Sequence, residues 1–151
     1  NRSGVLCKVA GLFSRRCFNI DSLAVGETDD HAVSCMTIVS SGDERTLEQI
    51  EKQLNKKLDV IKVKTLSQEQ CYTRELMLLK VKYNKNNRRD IIEICDIMKT
   101  EIVDMSKHFM MLQICDAPEK IDTLIKMLQT ISIVEARTGT LALSKCTEND
   151  D

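Results

Sequence analysis

The stretch Asn1-Arg2-Ser3-Gly4-Val5-Leu6 carries the residues best suited to binding chemistry in this 151-residue chain. It leads into Val5, Leu6, Val9, Leu12 and Phe13, spaced three and four apart. That spacing predicts a helix with Ser3 as its N-cap and an end near residues 15–17. The first N–H groups of a helix have no internal acceptor and carry partial positive charge, so this end suits a carboxylate or a phosphate. Gly4 lets a ligand approach the backbone, and the Asn1 amide can meet either an amine or a carboxylate. Turn chemistry with ordinary capping accounts for the same residues without a ligand. No catalytic constellation competes with this stretch. His31 and His108 fall in a turn and at a strand start, with no Ser or Cys motif beside them. Asp29, Asp30, Asp43, Glu44, Glu48 and Glu51 fall in turns or on a polar helix face, where solvation and capping explain them. Neither Gly-rich phosphate-binding pattern, GxxxxGK[ST] or GxGxxG, occurs.

Composition narrows the classes. Hydrophobic residues make up 42% and charged residues 30%, so a globular core is affordable, and with three Phe, two Tyr and no Trp it must be aliphatic. Net charge is −1. Lys85, Arg88 and Arg89 read as a solvated helix start, not as the basic patch that phosphate neutralisation requires. No nucleic-acid partner is expected, because a sheet that binds RNA also needs aromatic platforms. The seven cysteines include no C-x-x-C pair. Cys95 and Cys115 lie in apolar runs, and the set reads as small buried hydrophobes in a reducing compartment, not as a disulfide framework or a metal site. No apolar run approaches the ~18 residues of a membrane span, so no membrane partner is expected.

The elements that must position the opening stretch follow from periodicity. After the first helix, Ile20, Leu23 and Val25 predict a strand. Residues 32–40 are rich in β-branched side chains and predict a second. Leu47, Ile50, Leu54 and Leu58 define a second helix, and Val60, Ile61 and Val63 a short third strand. Polar residues 67–70 separate the halves. Residues 75–83 then predict a strand, and Ile91, Ile92, Cys95 and Met98 a helix face. Residues 101–105 and 108–115 form a hairpin. Pro118 opens a helix that turns Ile121, Leu124, Ile125 and Leu128 inward, and pieces at 132–136 and 140–143 close the set. The second half reads β-α-β-β-α-β and the first α-β-β-α-β. The fold class is therefore α+β, two tandem ferredoxin-like (βαββαβ) domains: residues 1–66 without their first strand, a linker at 67–70, and residues 71–151 with a polar tail from about 145. An inner strand cannot be absent without leaving backbone groups unpaired on its neighbours. The expectation is that the natural chain extends upstream of Asn1, with an apolar run there to restore the sheet; the alternative is that another segment fills the gap.

At this level the ordered motifs NRSGVL, GLFSRRCFNIDSL, TDDHAVSCMTI, GDERTLEQIEKQLNKKLDVIKV, TRELMLLKV, EIVDMS and VEARTGTLAL resemble the small regulatory subunit of acetohydroxyacid (acetolactate) synthase, from Asn1 to about Leu143. The resemblance implies an ACT domain in the first half and a non-catalytic chain. Such a chain pairs with itself through ACT domains and activates the large catalytic subunit. It confers feedback inhibition by valine, or a related branched-chain end product such as isoleucine, in branched-chain amino acid biosynthesis. It also implies that thiamine diphosphate, Mg and FAD belong to the catalytic partner and none to this chain, and a cytoplasmic location, or the plastid stroma in a eukaryote. Carried over by position, Asn1 meets the effector head group and the backbone of Gly4, Val5 and Leu6 holds its carboxylate. Asn19 and Ile20 of a second protomer close the site. The family has Gly where this chain has Cys17, at the end of the first helix. A Cys there must either accept strain or end the helix differently. The alternative expectation is an activating subunit that no longer answers to an effector.

Overall fold

From Cys71 onward every second side chain turns inward, and this alternation builds the larger sheet. In β3 (Cys71–Lys82) the residues Glu75, Met77, Leu79 and Val81 are buried while their neighbours face outward. β3 runs antiparallel to β5 (Phe109–Asp116) on one side and to β6 (Ser132–Arg137) on the other. β4 (Glu101–Met105) lies beyond β5, and β7 (Leu141–Ser144) also pairs with β3. A computed structural model describes residues 4–15 and 17–146. It divides the chain into two units, residues 73–141 and residues 1–72 with 142–151.

In the unit 73–141, α3 (Arg88–Met98) and α4 (Pro118–Leu128) contribute to one core with the sheet. Met77, Leu79 and Val81 meet Met110, Leu112 and Ile114 of β5, with Ile91 and Cys95 of α3 and Ile121, Leu124 and Leu128 of α4. Each such side chain contributes about 1.5–3 kcal/mol through burial. Pro118 occupies the first turn of α4, where a missing N–H costs nothing. The Lys120 ammonium and the Ala117 amide hold the Asp116 carboxyl below its usual range and fasten this helix start. The β-α-β-β-α-β order is realised in full. One expectation changes: Cys71 and Cys95 are buried, but Cys7, Cys17, Cys35 and Cys146 are exposed, and so is Cys115. It follows buried Ile114 on β5, and neighbours on a strand face opposite sides.

In the first unit, α1 (Val5–Arg15) and α2 (Glu44–Asn55) pack with the hairpin of β1 (Ser22–Glu27) and β2 (Ser34–Val39). Val9, Leu12, Phe13, Ile50 and Leu54 form the core, with Ile20, Met36 and Ile38 against it. Asp43 caps α2 by accepting from the Thr46 N–H at 2.8 Å. Three expectations give way. Leu6 does not join the inward face and stays 45% exposed. Leu58 lies past the end of α2 and is 97% exposed. Residues 60–63 are not a strand, although Val63 packs on the core. The other unit supplies the reason. There the last strand, β6, pairs only with the first strand, β3. Among the described residues the first unit holds no counterpart of β3, so no described strand is placed for 60–63 to pair with. The proposed N-cap Ser3 lies outside the described residues.

The end of α1 decides where the following loop points. Cys17 takes a left-handed backbone with φ 57°. Its N–H donates to the Ser14 carbonyl (3.1 Å) and the Phe18 N–H to the Phe13 carbonyl (3.0 Å). The rings of Phe13 and Phe18 meet edge to face, with centroids 6.4 Å apart. This is the Schellman termination with its hydrophobic contact, formed around a residue that has a Cβ. Of the two possibilities raised by Cys17, strain is the one adopted. A left-handed non-glycine residue costs about 1–2 kcal/mol. Cys17→Gly is therefore expected to stabilise the protein by about 1 kcal/mol, raising the melting midpoint by roughly 2–4 °C. Calorimetry of the two proteins checks this, and an unchanged or lower midpoint would refute the strain.

Candidate functional site

The two halves of the expected site lie at opposite ends of α1. At its start, Gly4 is exposed, with φ 85°, and its carbonyl accepts the Lys8 N–H at 3.0 Å. This is the first turn of the helix, so the amides of Val5, Leu6 and Cys7 have no acceptor within it. No acidic side chain occupies that turn to neutralise the amides. A Cβ built on Gly4 meets nothing within 4 Å, so φ is what calls for glycine here. Val5 packs against the core while Leu6 projects outward, giving this corner an aliphatic flank. Asn1, expected to meet the head group, lies outside the described residues.

At the far end, the Schellman turn delivers Phe18, Asn19 and Ile20. Ile20 is half-buried against the core, so its side chain anchors the loop as well as bordering the surface. Asn19 is exposed, and its orientation is set by neighbours that sequence reasoning missed. Its side-chain N–H donates to the Asp21 carboxylate, and its carbonyl accepts from the Ser40 hydroxyl at 2.6 Å. The second Asp21 oxygen accepts from Ser41, and the Asp21 N–H donates to the Val39 carbonyl at 2.8 Å. Asp21 and the pair Ser40–Ser41 stand about twenty residues apart, so nothing local marked them as one group. Together they hold the Asn19 amide oxygen and the Asp21 carboxylate side by side as acceptors, with Arg15 in the last turn of α1 as the positive charge of this end.

The structure thus brings Gly4, Val5 and Leu6 together at one corner and Asn19 with Ile20 at another. An eleven-residue helix separates the corners by about 16 Å. The first corner offers N–H donors to an anion and the second offers acceptors to a cation. Neither holds a metal-ligand set. Among the described residues no group of three His, Cys, Asp or Glu side chains could hold an ion, and no helix is long and apolar enough to cross a membrane.

Comparison with known proteins assigns both halves. A family model described as the AHAS small subunit-like ACT domain matches residues 1–62, and one described as the small subunit of acetolactate synthase matches residues 74–146. The chain is 43% identical to the probable acetolactate synthase small subunit of Methanothermobacter thermautotrophicus, over 96% of this chain and 88% of that protein. It is 40% identical to the isozyme 3 small subunit of Escherichia coli, over 96% and 90%. The fold matches the crystal structure of the acetolactate synthase small subunit from Thermotoga maritima with a TM-score of 0.90 and 36% identity, covering 97% of this chain and 92% of that one. With two α+β units of the ferredoxin-like kind and an ACT-type first domain, the chain belongs to the small, regulatory-subunit family of acetolactate synthase.

Proposed function

We propose that this chain binds the catalytic subunit of acetolactate synthase, raises its activity, and makes it answer to valine through a site shared by two ACT domains. The supporting observation is the polarity of α1. Amide donors around Gly4 suit a carboxylate, and the Asn19–Asp21 group suits an ammonium. A free amino acid carries both charges within a few bonds, far less than the helix length. Only a second copy can bring one protomer's Asn19 against the other's Gly4. A two-fold pairing does this twice, because each surface patch meets its own complement in an isologous interface. Leu6 and the exposed edge of Ile20 then line the isopropyl group. Each methylene would alter affinity by about 1–3 kcal/mol, so leucine and isoleucine should bind more weakly without being excluded.

Valine shifts the synthase only by binding one arrangement of the ACT pair better than another. A coupling of about 1–3 kcal/mol corresponds to a 5- to 150-fold effect. Thiamine diphosphate, Mg and FAD chemistry stays with the catalytic subunit. The test is calorimetry of the protein with valine, together with the activity of the reconstituted synthase with and without it. Saturable heat and valine-dependent inhibition are expected. Activation without heat or inhibition would select the effector-blind subunit instead, and no activation would remove both readings.

A further inference from the structure

The start of α3 is the most cationic corner of the unit 73–141. Lys82, Lys85, Arg88 and Arg89 are all exposed and, among the described residues, make no ion pair. Asp90 and Glu93, on the same helix, leave a surplus of positive charge. Two shallow concavities flank the turn 84–87. One, of about 410 Å³, is lined by Lys85, Arg88, Arg89 and Ile92. The other, of about 360 Å³, is lined by Lys82, Asn84, Asn87, Thr130 and Ser132 with the two aliphatic side chains Ile131 and Ile133. Ile133 is exposed. Exposed basic side chains interspersed with Ile92 and the exposed Ile133 have the make-up of the charged rim of a protein interface.

Other occupants fit less well. A small anion is held best where backbone amides converge beside the basic side chains, and most amides of this turn are already used. The Asn84 N–H donates to Asn87 Oδ1, the Asn86 and Asn87 N–H groups to Asn84 Oδ1, and the Arg88 N–H to the Asn84 carbonyl. RNA needs an open aromatic face for stacking, but Tyr83 is half-buried with its hydroxyl donating to the Ser106 carbonyl at 2.6 Å. What remains available is mobile cationic side chains spread over a broad surface. We infer that this corner docks an acidic, aliphatic-bearing surface of the catalytic subunit, an inference that rests on the regulatory reading above.

The experiment measures association of the whole chain with immobilised catalytic subunit at low and physiological salt. Arg88→Glu with Arg89→Glu is compared against Lys62→Glu with Lys64→Glu, which changes net charge equally at exposed positions elsewhere. The first pair is expected to weaken association about tenfold or more and to flatten its salt dependence, as loss of rim charges does. The second pair should leave both unchanged, with unfolding midpoints confirming that each protein is folded. If the wild type binds and the first pair binds equally well, or if both pairs weaken binding alike, the docking surface is wrong while the regulatory reading stands. Salt-sensitive RNA binding lost only in the first pair would also overturn it in favour of a nucleic-acid partner. A wild type that does not bind the catalytic subunit removes the regulatory reading and this inference with it.

Discussion

Glu75→Ala is expected to lower stability by about 3 kcal/mol, the largest effect of any single polar substitution considered. Glu75 lies on β3 with its side chain 8% exposed, facing Arg137 on β6 at 28%. The Arg137 Nε and Nη2 both donate to Glu75 Oε2, at 3.0 and 2.6 Å, while Thr140 donates to Oε1. A third contact, Nη1 to Asp122 at 2.8 Å, ties α4 to the pair. Burial pulls the Arg137 pKa down, but the hydrogen bonds and charges of Glu75 and Asp122 outweigh it and hold the guanidinium above its ordinary value. Removing one partner of a buried pair costs about 3–5 kcal/mol because the other charge is left uncompensated. Asp122 and partial solvation keep the loss at the lower end. In a chain of this size the melting midpoint should fall by roughly 6–12 °C. Glu75→Leu combined with Arg137→Met should recover most of that loss, since no charge is then stranded. A double variant no better than Glu75→Ala would show that packing at position 75, not charge, sets the cost.

This pair also marks the limit of what sequence reading reaches. Period-two alternation in 75–83 and period-3.6 repeats in 91–98 and 121–128 made the unit 73–141 legible, because each pattern is local and burial enforces it. Glu75 and Arg137 are 62 residues apart, and no local pattern joins them. The first unit was legible in its helices and hairpin but not at residues 60–63. An apolar run predicts a strand only where a partner strand exists, and periodicity carries no information about partners. Leu58 and Leu6 show a related failure: helical spacing continues past the last hydrogen-bonded turn and around the margin of the buried face, where nothing covers it. At the candidate site, Gly4 was legible as a residue type, and Asn19 only through the family resemblance. The Asp21, Ser40 and Ser41 contacts that orient Asn19 were not, since they depend on β1 and β2 closing as a hairpin.

Gly4→Asp sets stability and binding against each other and is expected to abolish the response to valine. An aspartate at the start of α1 places negative charge on the unneutralised first turn, which favours the helix. The left-handed φ of 85° opposes it, at a cost of about 1–2 kcal/mol that aspartate tolerates better than most residues. The added side chain meets nothing within 4 Å. Stability should therefore change little. Binding should not survive, because the same amides would face a resident carboxylate instead of the carboxylate of the effector. A hydrogen bond to a charged group is worth about 1.5–3 kcal/mol, so losing one such contact weakens affinity by roughly 10- to 150-fold before repulsion is added. Gly4→Ala separates the two causes, since it carries the strain without the charge and should keep most of the affinity. The measurements are valine calorimetry and the valine sensitivity of the reconstituted synthase, with activation by the subunit as the sign of a folded chain. If Gly4→Asp still binds valine at wild-type affinity, the carboxylate does not rest on these amides, and the polarity of α1 loses its place in the mechanism.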